Sequence, residues 1–336
     1  MKRMIKREIK KEIWYNDRGS VAAFLLMVIV IVILVLLFLG YLVYLDYPSN
    51  PQALEVSIGN QTTGLPNSSL QFFPNMKFNH NDLSYFIEGG CNQEKTERMI
   101  EAFNDLSNRV PLIQFHQASS NPDITVSCSV GEVNVDSDKH YFVAGEGGAK
   151  EVIQTKKYNI VTEGVILLYD GQTKLTKCNW SNVELHELLH VFGFDHNNNK
   201  NSLMYPYLTF CDQKVDDSII DELNRLYSEK DLPDLYFENV SVVKKGRYLD
   251  FNISVKNEGL IKANDVKFSV LDDGELVETR DLDNIDFGAG ILVKIQNFKM
   301  IHKDPTDIKF VIDYDNNIEE LDETNNVADI KLDSNN

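Results

Sequence analysis

The segment that decides the fold of this chain is His186-Glu187-Leu188-Leu189-His190-Val191-Phe192-Gly193-Phe194-Asp195-His196, which has the pattern H-E-x-x-H-x-x-G-x-x-H. On a helix, His186 and His190 lie one turn apart on the same face, so both imidazoles can bind one metal ion. Glu187 projects beside the open coordination position, where a general base for water is required. Gly193 ends the helix in a left-handed conformation, and the chain then reverses and brings in His196 as the third ligand. Three histidines leave a fourth position for water, which distinguishes a catalytic Zn²⁺ site from a closed structural one.

The residues after the third histidine strengthen this interpretation. H-E-x-x-H alone also occurs by chance in ordinary amphipathic helices, and the added Gly193 and His196 make chance a poor explanation. The chain continues with Ser202-Leu203-Met204-Tyr205-Pro206-Tyr207. With this segment the sequence resembles the metzincin metallopeptidases, in which the extended zinc motif is followed by a methionine turn beneath the metal. Leu203-Met204-Tyr205-Pro206 is most similar to the turn of the matrixins.

The resemblance implies a fold and a set of roles. The expected catalytic domain, residues 76–230, is α+β, with a mixed twisted sheet and the zinc helix. Met204 would lie beneath the metal, and Tyr205, Pro206 and Tyr207 would line the primed-side substrate pocket. Residues 145–154 occupy the position of the edge strand that pairs with extended substrate backbone in this family. A mobile surface loop is an equally acceptable interpretation of that segment.

Three departures from the matrixin pattern limit the resemblance. Asn197 stands where matrixins usually place Ser after the third histidine. The sequence contains no P-R-C-G motif, so latency through a propeptide cysteine is not expected. A second, structural zinc site is not expected either, because only His140 follows Asp136 and Asp138 in that region. The single histidines lack ligand spacing and are predicted to be structural or surface residues: His80, His116, His140 and His302.

Hydrophobic periodicity predicts the elements of this domain. Helices are predicted over residues 92–109 and 215–227, before and after the zinc helix. Met99, Ile100, Phe103 and Leu106 recur at helical spacing and are expected to lie in the core. Strands are predicted over residues 83–87, 112–115, 123–128 and 164–169.

After Leu232-Pro233-Asp234 the pattern changes to short alternating segments separated by turn signals, as in an all-β sandwich. Residues 231–336 are therefore predicted to form an immunoglobulin-like β-sandwich. The segments 255–259 and 313–326 resemble the CARDB family of surface domains. The acidic segment 313–326 could bind calcium, but a solvated charged turn is the favoured interpretation.

Residues 21–45 are twenty-five consecutive uncharged, mostly aliphatic positions, and about 20 suffice to cross a bilayer. The run is too long for the apolar core of a signal peptide. A buried helix of a soluble protein is the alternative, and it is disfavoured because no polar residue interrupts the run. The sequence therefore predicts a single transmembrane helix. Residues 46–75, rich in Asn, Ser, Pro and Gly, are predicted to be a flexible tether.

The distribution of charge predicts the orientation of that helix. Residues 1–20 carry seven basic and three acidic groups, a net +4, which leaves −22 for the rest of a chain with total charge −18. The positive-inside rule places residues 1–20 in the cytoplasm and all residues after 45 outside the cell. So acidic an exterior argues against nucleic acid or anionic lipid as a partner.

Four cysteines, Cys91, Cys128, Cys178 and Cys211, follow the apolar segment, in a compartment where disulfides persist. Three pairings are possible. Cys178–Cys211 is favoured because those positions flank the zinc motif and the methionine turn, which leaves Cys91–Cys128. Free buried thiols, or a Cys91–Cys178 pair, are the alternatives.

Two functions are compatible with these features. The first is a membrane-anchored extracellular zinc endopeptidase that cuts peptide or protein substrates, with Glu187 as general base and His186, His190 and His196 as metal ligands. The second is a surface adhesion protein that uses an inactive metzincin scaffold. The intact Glu187 favours the first, because a site without catalysis has no chemical need for that carboxylate.

Overall fold

The computed structural model describes residues 2–46, 51–59, 70–129, 133–136, 141–169, 181–208 and 211–332. A long N-terminal helix precedes an α/β domain, residues 70–231, and a β domain, residues 51–59 with 232–332. In chain order the elements are α1 (Lys2–Asp46), β1 (Gln52–Ile58), β2 (Met76–Phe78), β3 (Asp82–Ile87), α2 (Gln93–Arg109), β4 (Gln114–Gln117), β5 (Ile124–Ser129), β6 (Val133–Asp136), β7 (Tyr141–Val143), β8 (Gly145–Gln154), β9 (Asn159–Tyr169), α3 (Asn182–Val191), α4 (Asp217–Tyr227), β10 (Leu235–Lys245), β11 (Tyr248–Asn257), β12 (Lys267–Asp272), β13 (Glu275–Asp281), β14 (Gly290–Lys299), β15 (Ile308–Ile312) and β16 (Val327–Lys331).

Helix α1 contains one segment, Ala22–Tyr44, that is long and apolar enough to cross a membrane by length and composition. Its 23 residues span about 35 Å at the rise of an α-helix, more than the roughly 30 Å of a hydrocarbon core. All of its side chains are exposed to solvent in the absence of a membrane. The helix therefore has the dimensions expected from residues 21–45.

The sheet of the α/β domain has the strand order β2-β9-β5-β3-β4, with β8 on the other side of β9. All pairs on the main path are parallel, and only β8 runs antiparallel to its neighbour. The helices α2, α3 and α4 bury their apolar faces in one core against this sheet. The mixed sheet confirms the predicted α+β fold.

Helix α2 shows how local sequence determines this domain. The Asn92 side chain accepts a hydrogen bond from the Lys95 N–H at 2.9 Å and caps the helix. Its buried face includes Met99, Phe103 and Leu106, as the periodicity predicts. The neighbouring strand β4 begins at Gln114 and not at residue 112, because residues 110–113 still form the turn after the helix.

In the β domain, β14-β11-β10 form one layer and β13-β12-β15-β16 the other, all antiparallel. Their inner faces share a single apolar core in which the rings of Phe251, Phe268 and Phe310 contact one another and the ring of Phe237 contacts that of Phe268. The predicted all-β fold is confirmed.

Strand β1 corrects the prediction that residues 46–75 form a flexible tether. Residues 52–54 pair with β10 and residues 55–58 pair with β16, so β1 joins the two layers of the β domain. The alternation of Leu54, Val56 and Ile58 directs these side chains toward the core, a signal that the polar composition of the surrounding residues obscured. Residues 70–75 also belong to a folded domain, since Gln71 and Asn75 are buried.

Cysteine pairing agrees with the prediction where it can be followed. Cys91 and Cys128 form a disulfide that joins the start of α2 to strand β5. Cys211 is also disulfide-bonded, and its expected partner Cys178 lies outside the described residues. The Cys178–Cys211 pairing therefore stays a prediction.

The acidic segment 313–326 is only partly the solvated turn that its composition suggests: residues 314–317 are exposed, but several later residues are buried. Glu320, Asn325 and Asn326 are 6%, 0% and 4% exposed, respectively. The Glu320 carboxylate accepts a hydrogen bond from the Leu235 N–H at the start of β10, and Asn325 donates to Asp234 at 2.8 Å. The segment folds inward because its polar side chains bind the polypeptide around the start of the β domain.

Candidate metal centre

The three histidines of the motif meet at one point. The Nε2 atoms of His186 and His190 lie 3.1 Å apart, those of His190 and His196 3.1 Å, and those of His186 and His196 3.2 Å. A tetrahedral zinc ion with bonds of about 2.0–2.1 Å separates its ligand atoms by about 3.3–3.4 Å. The triangle therefore has nearly the dimensions of one face of a zinc coordination tetrahedron.

Backbone carbonyls hold two of the imidazoles in the tautomer that a metal requires. The Nδ1 of His186 lies 2.6 Å from the Leu203 carbonyl oxygen, and the Nδ1 of His190 lies 2.7 Å from that of Phe194. A carbonyl only accepts, so both Nδ1 atoms carry the proton and both Nε2 atoms present lone pairs. Two such Nε2 atoms cannot hydrogen-bond each other, whereas a cation between them satisfies both, so this donor set fits zinc.

Burial keeps the ligands neutral. Desolvation, together with the charge of His190, lowers the pKa of His186 to about 3. Burial also lowers the pKa values of His190 and His196. Because only neutral imidazole binds a metal, the site has its ligands in the binding form throughout the neutral range.

Two structural features require glycine at position 193. Its φ of +85° is in the left-handed region, as expected for a helix C-cap. A Cβ at this position would also clash with the Sδ of Met76. The turn that redirects the chain from α3 toward His196 therefore depends on both the backbone conformation and the close packing of β2.

The loop that carries His196 is held by three polar residues. Asn197 Nδ2 donates to Ser202 Oγ at 2.8 Å and to Asp216 Oδ2 at 3.1 Å, and the Ser202 hydroxyl donates to the same carboxylate oxygen. Ser202 Oγ accepts from the Met204 N–H at 3.0 Å. Asp216, directly before α4, thus connects the loop of the third histidine to the turn that contains Met204. The Met204 side chain is fully buried. The sequence prediction did not identify Asp216, since no spacing rule connects it to the motif.

Glu187 lies against strand β8. Its carboxylate accepts a hydrogen bond from the Gly147 N–H. A Cβ at Gly145 would lie 2.8 Å from the Glu187 Cγ, and one at Gly147 would clash with the Glu187 backbone. Burial, assisted by the charge of Glu146, raises the pKa of Glu187 to about 8. The two glycines let the edge strand approach the candidate base closely enough to orient it.

The segment 70–73 also contacts the site, which the sequence prediction missed. The Phe72 ring stacks on His190 with 6.0 Å between centroids, and the Phe72 N–H donates to the Gly193 carbonyl at 2.8 Å. Gln71 Nε2 donates to the Phe192 carbonyl at 2.9 Å. These contacts join residues more than one hundred positions apart, so no local pattern indicates them.

The predicted pocket residues follow the methionine turn at the surface. Tyr205 is half-buried, Pro206 and Tyr207 are exposed, and the two tyrosine rings lie 5.9 Å apart. Their contribution to a specificity pocket stays a prediction, as residues 209–210 are outside the described part of the chain.

The remaining histidines have acidic neighbours. His80 contacts Asp123 at 3.3 Å and His116 contacts Asp82 at 2.9 Å, in agreement with surface or structural roles. His302 lies with Asp272 and Asp273 in a group whose ligand atoms are within 4.8 Å of one another. There the His302 N–H and ring both contact the Asp272 carboxylate, so these residues satisfy each other. His140 and Asp138 lie outside the described residues.

Comparisons with known proteins agree with the two domains. Residues 77–228 match the family model for the matrixins, and residues 232–329 match the model for CARDB domains. The resemblance of each part of the sequence to its family is thus confirmed. No curated protein sequence matches the chain.

Two solved structures are similar to part of the chain. One is the CARDB domain of a Pyrococcus furiosus protein, with 19% identity over 30% of this chain and 87% of that chain, at a TM-score of 0.23. The other is a domain, residues 272–376, of a Methanosarcina acetivorans protein named as a cell-surface protein, with 18% identity over 30% of this chain and 94% of that chain, at a TM-score of 0.24.

Proposed function

We propose that this chain is a membrane-anchored, extracellular zinc endopeptidase that hydrolyses peptide bonds in peptide or protein substrates. The observation that carries the proposal is the convergence of three histidine Nε2 atoms within 3.2 Å of one another, on and after the helix that also carries the buried carboxyl of Glu187. The match of residues 77–228 to the matrixins supports the same activity, because that family suggests a zinc metallopeptidase.

His186, His190 and His196 would hold the zinc ion. When bound, the ion supplies Lewis acidity, which polarises a peptide carbonyl and makes water more acidic. Glu187 takes the proton from the attacking water and then delivers it to the leaving amine. Burial raises the pKa of this carboxyl, which favours the second step because the protonated form can persist until the C–N bond breaks. The Gly147 N–H orients the carboxylate during the transfer.

The free side of β8 is the proposed binding edge for substrate backbone. Among the described strands β8 pairs only with β9, through nine residue pairs from Gly145–Leu168 to Gln154–Asn159. An extended peptide can add to the opposite edge by main-chain hydrogen bonds. The strand passes Glu187 at Gly145 and Gly147, so a peptide bound there would run past the candidate base.

Anchoring and orientation are proposed from α1. The segment Ala22–Tyr44 can cross a bilayer, and the net +4 of residues 1–20 favours a cytoplasmic N-terminus. The Cys91–Cys128 disulfide supports an oxidising environment for the α/β domain. The adhesion alternative is favoured by the match to CARDB and differs in predicting no catalysis.

The deciding experiment uses the full chain, purified in detergent micelles and loaded with zinc, on a diverse peptide library. We expect cleavage that stops when a zinc chelator is added and returns when zinc is restored. A protein that binds zinc in stoichiometric amount but cuts no member of the library would overturn the peptidase proposal in favour of the adhesion alternative.

A further inference from the structure

Glu146 is the only residue with a side chain on the part of β8 that passes Glu187. Residues 145–148 have the sequence Gly-Glu-Gly-Gly, and a Cβ on either Gly145 or Gly147 would collide with Glu187. Successive side chains of a strand point to opposite faces of the sheet. Gly145 and Gly147 therefore face α3 and the candidate base, whereas Glu146 projects from the other face of the sheet, where it is exposed.

The neighbours of Glu146 on β9 hold its carboxylate in place. Glu146 lies opposite Leu167 in the strand register, and the Tyr169 hydroxyl donates to Glu146 Oε1 at 3.0 Å. A carboxylate can accept further hydrogen bonds on both oxygens. Lys150, the next cation along β8, is paired with Glu163 at 2.5 Å. Within the described part of the chain, Glu146 therefore has an orienting neighbour but no cation of its own.

The backbone of the same segment is arranged to receive a peptide. The Tyr169 N–H donates to the Ala144 carbonyl at 3.0 Å. Backbone groups of successive strand residues point to opposite edges, so Ala144 and Glu146 direct theirs toward β9, while Gly145 and Gly147 direct theirs toward the free edge. A peptide that adds antiparallel at this edge hydrogen-bonds to the glycines. It then places one residue directly opposite Glu146, with about 4.5 Å between the two Cα atoms and both side chains on the same face of the sheet.

We propose that Glu146 selects substrates that carry lysine or arginine at this one position. The inference rests on the proposed function, in which substrate backbone pairs with β8, and it adds a substrate class to that function. Opposite charges that face each other across a strand pair attract, and like charges repel. A basic side chain opposite Glu146 is therefore favoured over a neutral one, and an acidic side chain is disfavoured. The three glycines beside Glu146 add no side chain that could obscure this preference.

The test measures cleavage by the zinc-loaded full chain in detergent, with a peptide from the library that it cuts. Positions near the cleaved bond are occupied in turn by Lys, Gln or Glu. We expect one position at which kcat/KM decreases from Lys to Gln to Glu, with about 3–10-fold between Lys and Glu, the size expected for facing charges on paired strands. The preference should decrease as salt is added, because exposed charges are screened.

Two variants and a control assign the preference to one carboxylate. Glu146→Gln should cut the three peptides at nearly equal kcat/KM, and Glu146→Lys should reverse their order. Glu101→Gln removes the same charge from an exposed position of α2 and should keep the wild-type order. This control separates a local contact from the general attraction of basic peptides to a chain of net charge −18. Circular dichroism and zinc content establish that each variant is folded.

Peptide binding separates this inference from the peptidase proposal. Fluorescence anisotropy gives the Kd of the Lys and Glu peptides whether or not they are cut. Binding without cleavage, with a preference for Lys that Glu146→Gln removes, would overturn the peptidase proposal and support the role of Glu146. Cleavage with no charge preference, or with the same preference in wild type and Glu146→Gln, would overturn the role of Glu146 alone. A chain that neither binds nor cuts any library peptide would overturn both.

Discussion

Asp216 accepts a hydrogen bond from Asn197 at 3.1 Å. Asp216 lies directly before α4, so this bond connects the start of α4 to the loop that carries the third histidine. The same carboxylate accepts from Ser202, whose hydroxyl oxygen binds the backbone of Met204. Asn197 is the residue that departs from the matrixin pattern. Its amide reaches Asp216 and Ser202 together, so the departure keeps the loop anchored.

Asp216→Ala should therefore weaken zinc binding. Groups that orient metal ligands typically contribute about 10–100-fold in affinity, and we expect a loss in that range because His196 loses its support. Zinc affinity is measured by competition with a chromogenic chelator. Asp217→Ala, at the exposed neighbouring position, is the control. Equal affinity in the two variants would contradict a role for Asp216 in holding the loop.

Glu187→Gln should abolish most peptide cleavage while zinc and fold are retained. The amide has nearly the same shape but cannot take the proton from water, and loss of a general base costs about 10²–10⁴-fold in rate. The effect should be seen in kcat, with zinc measured in both samples. Glu101→Gln, at an exposed position of α2, should cleave like the wild type. Activity within a few-fold of wild type for Glu187→Gln would mean that another group is the base.

Gly193→Ala should lower the free energy of unfolding of the α/β domain by more than the cost of placing alanine in a left-handed backbone conformation. A left-handed φ costs a non-glycine residue about 1–2 kcal/mol, and the clash of the new Cβ with Met76 adds to this. Gly274→Ala is the matched control, because φ is +82° there and nothing lies within 4 Å of the added atom. Chemical denaturation gives both free energies of unfolding. Similar losses for the two variants would show that packing against Met76 is unimportant.

Asp123→Asn should destabilise the protein by about 2 kcal/mol between pH 4 and 6.5. Burial alone would raise the pKa of Asp123, but hydrogen bonds from His80 and Ser84 outweigh it and lower the pKa to about 2. Because the pKa of Asp123 is lower in the folded state, its charge stabilises the fold above the pKa of the unfolded state. This stabilisation is lost as the pH falls through about 2. Because the pKa of His80 is raised in the folded state, protonated His80 stabilises the fold below the pKa of the unfolded state. This stabilisation is lost as the pH rises through the pKa of the folded state.

The measurement is the difference in unfolding free energy between wild type and variant as a function of pH. Asp82→Asn is the control, since the Asp82–His116 pair is exposed and should contribute little. A difference that stays constant down to pH 2 would contradict the assignment to the Asp123 charge.

Non-reducing peptide mapping of exported protein should link Cys211 to Cys178. Cys211 is disulfide-bonded, and the two residues flank the zinc motif in the sequence. A free thiol at Cys178 would reject the pairing, and with it the expectation that this bond fixes the region around the motif.

Local signals in the sequence predicted the parts of the molecule that local forces determine. The cap at Asn92, the buried spacing of α2 and the C-cap at Gly193 each depend on a few neighbouring residues. The ligand triangle was predictable for the same reason, because two histidines share one helix face and the third follows a turn of fixed type.

Long-range contacts were not predictable in this way. Gln71 and Phe72 reach the site from the other end of the domain, and Asp216 reaches it from the start of α4. The acidic segment looked solvated because its composition is polar, yet Glu320 and Asn325 are buried by partners at the start of β10. Composition predicts exposure only when no distant partner is present.

With α1 as the proposed membrane anchor, strand β1 determines how the rest of the chain can be released from the membrane. It forms three residue pairs with β10 and four with β16. Because β1 follows α1 and precedes the α/β domain, whereas β10–β16 come after that domain, the α/β domain is inserted in the chain between two parts of the β domain. A protease that nicks the connection between residues 59 and 70 cuts the chain but releases nothing, because β1 stays in the sheet. Release in one step requires a cut between Asp46 and Gln52, a window of five residues.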